Sequence, residues 1–142
     1  MSILEDSVFD LMINVSNDLK YTLTREAMLD LVAKEDLIIV YPKDDELFLD
    51  LDSDKAYGLF QNQLEMLRKF MNVINITVNP SKSGLPHRHV TVQLGKDLSE
   101  AERIALQASL GSDRRCELLR YKLFLEHDEH PTLFLERKPT NG

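Results

Sequence analysis

The sequence predicts an α+β fold built on a split βαββαβ unit, a ferredoxin-like or RRM-like palm with sheet order 4-1-3-2. Three observations carry that expectation. From residue 46 onward the apolar period switches between two and 3.6 in the order β-α-β-β-α-β. The strand segments alternate between aliphatic and other residues, as a sheet backed by helices on one face requires. Capping or turn residues stand at the changes of period, among them Ser53, Pro80, Ser99, Asp113 and Pro131.

At 142 residues the chain is long enough for one domain with a sizeable core. The expected organisation is a single domain over 1–142: N-terminal helices and a short edge strand over 1–42, the core over 46–137 and a frayed tail over 138–142. The net charge is −7, which argues against a protein that lives by neutralising phosphates. Basic residues cluster locally at Arg114, Arg115, Arg120 and Lys122, and at Lys82 and Arg88. Any nucleic-acid contact is therefore expected to be local, metal-assisted or weak, and a protein partner is possible. No apolar run approaches the roughly 18 residues of a membrane span, so no membrane role is expected. Acids rather than bases follow Met1, and the one cysteine, Cys116, lies in a helical pattern; both fit a cytoplasmic protein, with Cys116 a packing residue.

The elements follow in order. Ile3, Leu4, Val8, Leu11, Met12, Val15 and Leu19 recur at helical spacing over 3–19, and Thr24 caps a second helix over 25–34. Leu37 to Tyr41 is a short β-rich run ended by Pro42. Leu47 to Asp52 reads as a strand, with Ser53 capping a helix over 54–71. Strands Val73 to Asn79 and His87 to Leu94 flank the loop Pro80 to Pro86. Ser99 and Glu102 form a capping box for helix 100–110, and Gly111-Ser112-Asp113 breaks it and caps helix 114–127. A last strand runs from Thr132 to Glu136. The aliphatic set Leu47, Leu49, Leu51, Ile74, Ile76, Val78, Val90, Val92, Leu94, Leu133 and Leu135 should face the helices. An open, polar face should then gather Asp50, Asp52, His89, Thr91 and Glu136.

Asp50 and Asp52 stand two apart on a strand, so both carboxylates point the same way. Like charges that close repel unless a cation lies between them, and an oxygen-loving divalent ion suits the pair. Asp54 reads as a charge at a helix start. An EF-hand is a poor fit, because Lys55 occupies the glycine position and Gln61 that of the bidentate glutamate. In the expected topology His87, His89 and the chain around His130 reach the same rim as the two aspartates.

Those residues carry a resemblance. Leu47-Phe48-Leu49-Asp50-Leu51-Asp52 resembles the hydrophobic-D-x-D motif of archaeo-eukaryotic-type primase-polymerases. Ser83-Gly84-Leu85-Pro86-His87-Arg88-His89-Val90 is similar to their second motif, with the spacing found in the polymerase domains of bacterial end-joining ligases. Leu133-Phe134-Leu135-Glu136 resembles their third, and Leu98 to Glu117 looks like a segment of small phage-borne proteins of this kind. The resemblance covers about residues 46–137. It implies a palm, Mg²⁺ or Mn²⁺ held by Asp50 and Asp52, and catalysis by Asp50, Asp52, His89 and Glu136. Asp128 and Glu129 are alternatives for the third acid. Lys82, Ser83, His87, Arg88 and Thr91 would contact the nucleotide. The implied activity is metal-dependent nucleotidyl transfer, or nucleotide binding, in phage or plasmid DNA metabolism.

Two other readings stand beside it. His89-Val90-Thr91-Val92 and His130-Pro131-Thr132-Leu133 both match the His-x-Thr pattern of two-histidine phosphoesterases, which cleave cyclic phosphodiesters by acid–base catalysis. An acidic binding protein or inhibitor that keeps the palm shape without catalysis fits the charge.

Overall fold

Residues 32–128 and 130–138 are described in a computed structural model of the chain. The helix expected over 3–19 and most of that over 25–34 lie outside them, as does Glu129. The chain divides into two compact units: Tyr41–Phe134, and a second to which residues 32–40 and 135–138 belong. Among the described residues no helix is long and apolar enough to cross a membrane.

In the second unit residues 32–35 are helical, and β1 (Leu37–Val40) pairs with β5 (Phe134–Arg137) in a two-stranded sheet. An exposed ion pair joins Lys138 to Asp36 at 2.7 Å. Glu136 is half-buried on β5.

The larger unit contains β2 (Glu46–Leu51), α1 (Asp54–Leu67), β3 (Asn75–Pro80), β4 (Arg88–Gln93), α2 (Glu100–Ser109) and α3 (Arg114–Leu125). Each of these elements answers to one expected from the periodicity. The largest discrepancy is the end of α1, where the last turn tightens and Arg68 closes the helix with its N–H on Leu64 and Met66 carbonyls. Ser53 caps α1 by accepting from the Ala56 N–H, and Ser99 with Glu102 forms the capping box of α2. The strands form an antiparallel sheet in the order β2-β4-β3. Leu47, Leu49 and Leu51 of β2 join Val90, Val92 and Leu94 in one buried cluster with Phe60, Leu64 and Leu110. This is the aliphatic face the alternation predicts. Its outer margin is thinner than expected: Ile76 packs on the cluster, but Ile74 and Val78 are 55% and 38% exposed. Ile104 and Leu119 are buried, although outside that cluster.

Two expectations need correction. The first is the four-stranded order 4-1-3-2: the strand after the last helix pairs with β1 and does not extend the three-stranded sheet beside β2. The edge of β2 that it would have used is filled by side chains and a loop. Arg103 Nε donates to the Glu46 carbonyl at 2.8 Å, and Gln107 Oε1 accepts from the Phe48 N–H at 2.7 Å. Arg120 Nη1 donates to the Phe48 carbonyl at 2.7 Å. Ser112 Oγ accepts from the Asp50 N–H at 3.0 Å, and the Asp113 N–H donates to the Asp50 carbonyl at 2.7 Å. With its outward backbone groups already bonded, β2 offers no ladder to a fourth strand.

The second correction concerns the face opposite the core, which is not open and polar throughout. Phe48 is buried, its ring stacked on Phe134 at 4.2 Å, and Phe134 stacks in turn on His89 at 3.9 Å. Arg120 lies 6.0 Å from the Phe134 centroid. Its guanidinium also donates to the Leu133 carbonyl at 3.1 Å and pairs with Glu117 at 2.6 Å. Glu117 accepts further from Gln107 at 2.9 Å and the Ser112 hydroxyl at 2.7 Å, so its buried charge is fully engaged.

Two stability effects follow. Leu49→Ala should cost about 2–5 kcal/mol in urea unfolding, through cavity formation beneath β2. Arg120→Met should cost about 3–5 kcal/mol, because it strands the buried Glu117 carboxylate. Adding Glu117→Gln to that variant should recover part of the loss; failure to recover any would mean the pair is not the cause.

Candidate active site

The site is assembled by strand register. Burial of Leu49 and Val90 on the core side forces Asp50 and His89 to the other face, where the antiparallel ladder sets them opposite one another. Beyond that pair, His87 Nδ1 lies 3.4 Å from Asp52 Oδ1. The D-x-D of β2 therefore meets the H-x-H around the start of β4 as two neighbouring Asp–His pairs.

Burial raises the Asp50 carboxyl above the ordinary carboxylate range, opposed chiefly by His89 and reinforced by Asp52. His89 is held flat against Phe134, so its ring plane is set by an aromatic partner as well as by the strand.

Asp113 completes the cluster. Gly111, at φ 91°, turns the chain out of α2, and the two residues after it bond the backbone of Asp50. One Asp113 oxygen caps α3 by accepting from the Cys116 N–H at 3.1 Å. Its carboxyl also neighbours that of Asp52, and two like charges so close disfavour the ionisation of both. Burial first, then the Asp52 carboxylate beside it, pushes the Asp113 carboxyl up to about 7. Nearby, burial pushes the Cys116 thiol well up, which suits a packing residue and not a nucleophile.

Asp52 and Asp113 lie in the lining of a cleft of about 590 Å³. Ala56, Ile104, Ala108 and Leu118 give it an apolar part, while Ser53, Ser112, Arg114, Glu117 and Tyr121 add polar groups. That size and mixture suit a small organic ligand.

The other expected site residues are placed less centrally. Arg88 Nη1 is bound to Asp54 at 2.8 Å, with its guanidinium 4.5 Å from the Tyr57 centroid, so the start of α1 takes it up. Lys82 and Ser83 lie in the β3–β4 loop, where the Ser83 N–H donates to Ser81 Oγ at 3.2 Å. Thr91 stands between Phe48 and Thr77 in the ladder, on the face of His89. Glu136 belongs to the second unit. Asp128 accepts from the His130 N–H at 2.9 Å, and the His130 ring is 5.3 Å from Tyr41. Sequence reading recognised Asp113 as a cap but missed its meeting with Asp52. Nothing in the local pattern signalled that meeting, which depends on the backbone bonds between Asp50 and the turn after α2.

Among the described residues, no group of three or more His, Cys, Asp or Glu side chains is arranged to hold a metal ion. No family model matches the chain, and neither a curated protein nor a solved structure matches it.

The raised Asp113 carboxyl makes a signed prediction. The unfolded chain ionises Asp113 near its ordinary value of about 3.9, before the folded chain does. Stability should therefore fall as pH rises from about 4 toward about 7, and level off above. Asp113→Asn keeps a good helix cap while removing the titration. Its urea midpoint should be flatter across that window, and an unchanged pH profile would show that Asp113 is not the group responsible.

Proposed function

We propose that the chain is a minimal primase-polymerase-like protein that binds a nucleotide together with a divalent cation in the cleft beside Asp52 and Asp113. The observation that carries this reading is the pair of neighbouring carboxyls, Asp52 and Asp113, in the lining of one cleft, with Asp113 pushed up to about 7. Two carboxylates this close favour either a proton or a cation between them. Mg²⁺ in nucleotide sites is commonly held by one or two carboxylates, with phosphate oxygens and water completing the shell. A two-acid donor set therefore fits such an ion without an all-protein cage. Mg²⁺ or Mn²⁺ on Asp52 and Asp113 would neutralise charge developing on a phosphate.

The chain's own residues supply the rest. Asp50, buried beside His89, keeps that imidazole turned toward a phosphate oxygen. His87 stands beside Asp52 to hold a second oxygen, and Arg114 at the cleft wall offsets further negative charge. Lys82 and Ser83 in the hairpin loop are suited to the outer phosphates. Asp113 takes the role of third acid in this reading. The element order from β2 to α3, and the order of the Asp50-Leu51-Asp52 segment and the segment from Ser83 to His89, support it.

Thermal unfolding with Mn²⁺ and a nucleoside triphosphate tests this directly. Wild type should melt higher with both present, by mass action. Asp52→Asn and Asp113→Asn should each abolish the metal-dependent rise, and remain at least as stable as wild type at neutral pH without metal. His89→Ala should weaken the nucleotide's contribution and spare that of the metal. Absence of any shift in wild type refutes the proposal. Phosphodiester cleavage that survives chelator and is lost in His89→Ala would point to a metal-free phosphoesterase instead.

A further inference from the structure

The two edges of the three-stranded sheet are treated differently. On β2, five outward backbone groups are bonded by Arg103, Gln107, Arg120, Ser112 and Asp113. On β3, no such bond is made among the described residues. The Ser81 N–H donates to the His87 carbonyl at 3.0 Å, which fixes the parity of the β3–β4 ladder. With Thr77 opposite Thr91 in that register, Asn75, Thr77 and Asn79 direct their backbone groups to β4. Ile76 and Val78 therefore direct N–H and C=O outward, while Pro80 has no N–H to leave unpaired.

Composition sets this edge apart as well. From Val73 to Ser81 there is no charged residue, in a chain whose net charge is −7. Natural sheet edges are commonly guarded by lysine, other charges or a covering segment. Here the flanking side chains Ile74 and Val78 are 55% and 38% exposed.

We propose that β3 is a dimerisation strand, on which a second copy of this chain pairs antiparallel about a twofold axis at Thr77. In that register Ile76 faces Val78 of the second copy, and both residues have outward N–H and C=O groups, so the ladder closes without a slip. Asn75 meets Asn79 on the face opposite the core. Apolar side chains thus cover apolar ones and amides meet amides. The occupant is a second copy because the strand is complementary to itself, and because two acidic chains approach with least repulsion where neither carries charge. The joined sheet has six strands.

Sedimentation equilibrium of the full chain over a range of concentrations tests the proposal. Wild type should be a monomer–dimer system. Thr77→Lys puts like charges directly opposite at the axis, so the dissociation constant should rise by about tenfold or more. Thr77→Glu should do the same, and an equimolar mixture of the two variants should recover dimer. Thr77 is exposed, and unchanged circular dichroism verifies that each variant folds. If either variant misfolds, amide exchange of wild type gives the answer: the Ile76 and Val78 amides should gain protection as concentration rises. A chain that stays monomeric up to its solubility limit overturns the proposal. So does a dimer indifferent to both variants, or one without that protection.

Discussion

Arg120 and Glu117 bury opposite charges against the open edge of a β-strand, and most of the larger unit's geometry depends on how they are satisfied. Desolvating the two ions is costly, and their mutual attraction repays it only when every remaining donor and acceptor finds a partner. The partners are the Phe48 and Leu133 carbonyls, the Gln107 amide and the Ser112 hydroxyl. Meeting all of these demands holds α2, α3 and the turn between them in one position against β2. What the buried pair contributes is that single arrangement more than net stability.

The candidate site inherits its geometry from this arrangement. Ser112 belongs to the Glu117 network, and it also bonds the Asp50 N–H. The next residue, Asp113, donates to the Asp50 carbonyl and so has its carboxyl delivered to Asp52. Core burial acts from the other side, fixing the register that sets His89 against Asp50. Two constraints unrelated to chemistry, a capped edge and a packed face, thereby bring three acids and two imidazoles together. Burial is the first cause of the raised Asp50 and Asp113 carboxyls, and the Asp52 charge adds to it in both.

The same edge chemistry bears on assembly. A strand whose outward groups are bonded internally cannot template another strand, whereas among the described residues nothing bonds the outward groups of β3. The sheet is thus closed on one side by charged and polar side chains and left neutral on the other.

Local rules account for what the sequence alone determined. Period-two alternation in Leu47–Asp52 and His87–Leu94 identified the strands and the buried face, because a one-residue slip would put every leucine and valine in water. Ser53, Ser99 and Asp113 marked the helix starts, since capping is satisfied within three residues. The closeness of Asp50 and Asp52 to His87 and His89 was legible too, because the expected topology already sets the strand of His89 beside that of Asp50. Three features were decided by tertiary structure: the edge that β5 pairs with, the aromatic cover over Phe48, and the meeting of Asp113 with Asp52. Each turns on competition for backbone and carboxylate groups between residues far apart in sequence. Arg120 and Gln107 win the β2 edge by reaching it from α2 and α3, and helical periodicity carries no trace of where a long polar side chain will find its acceptor.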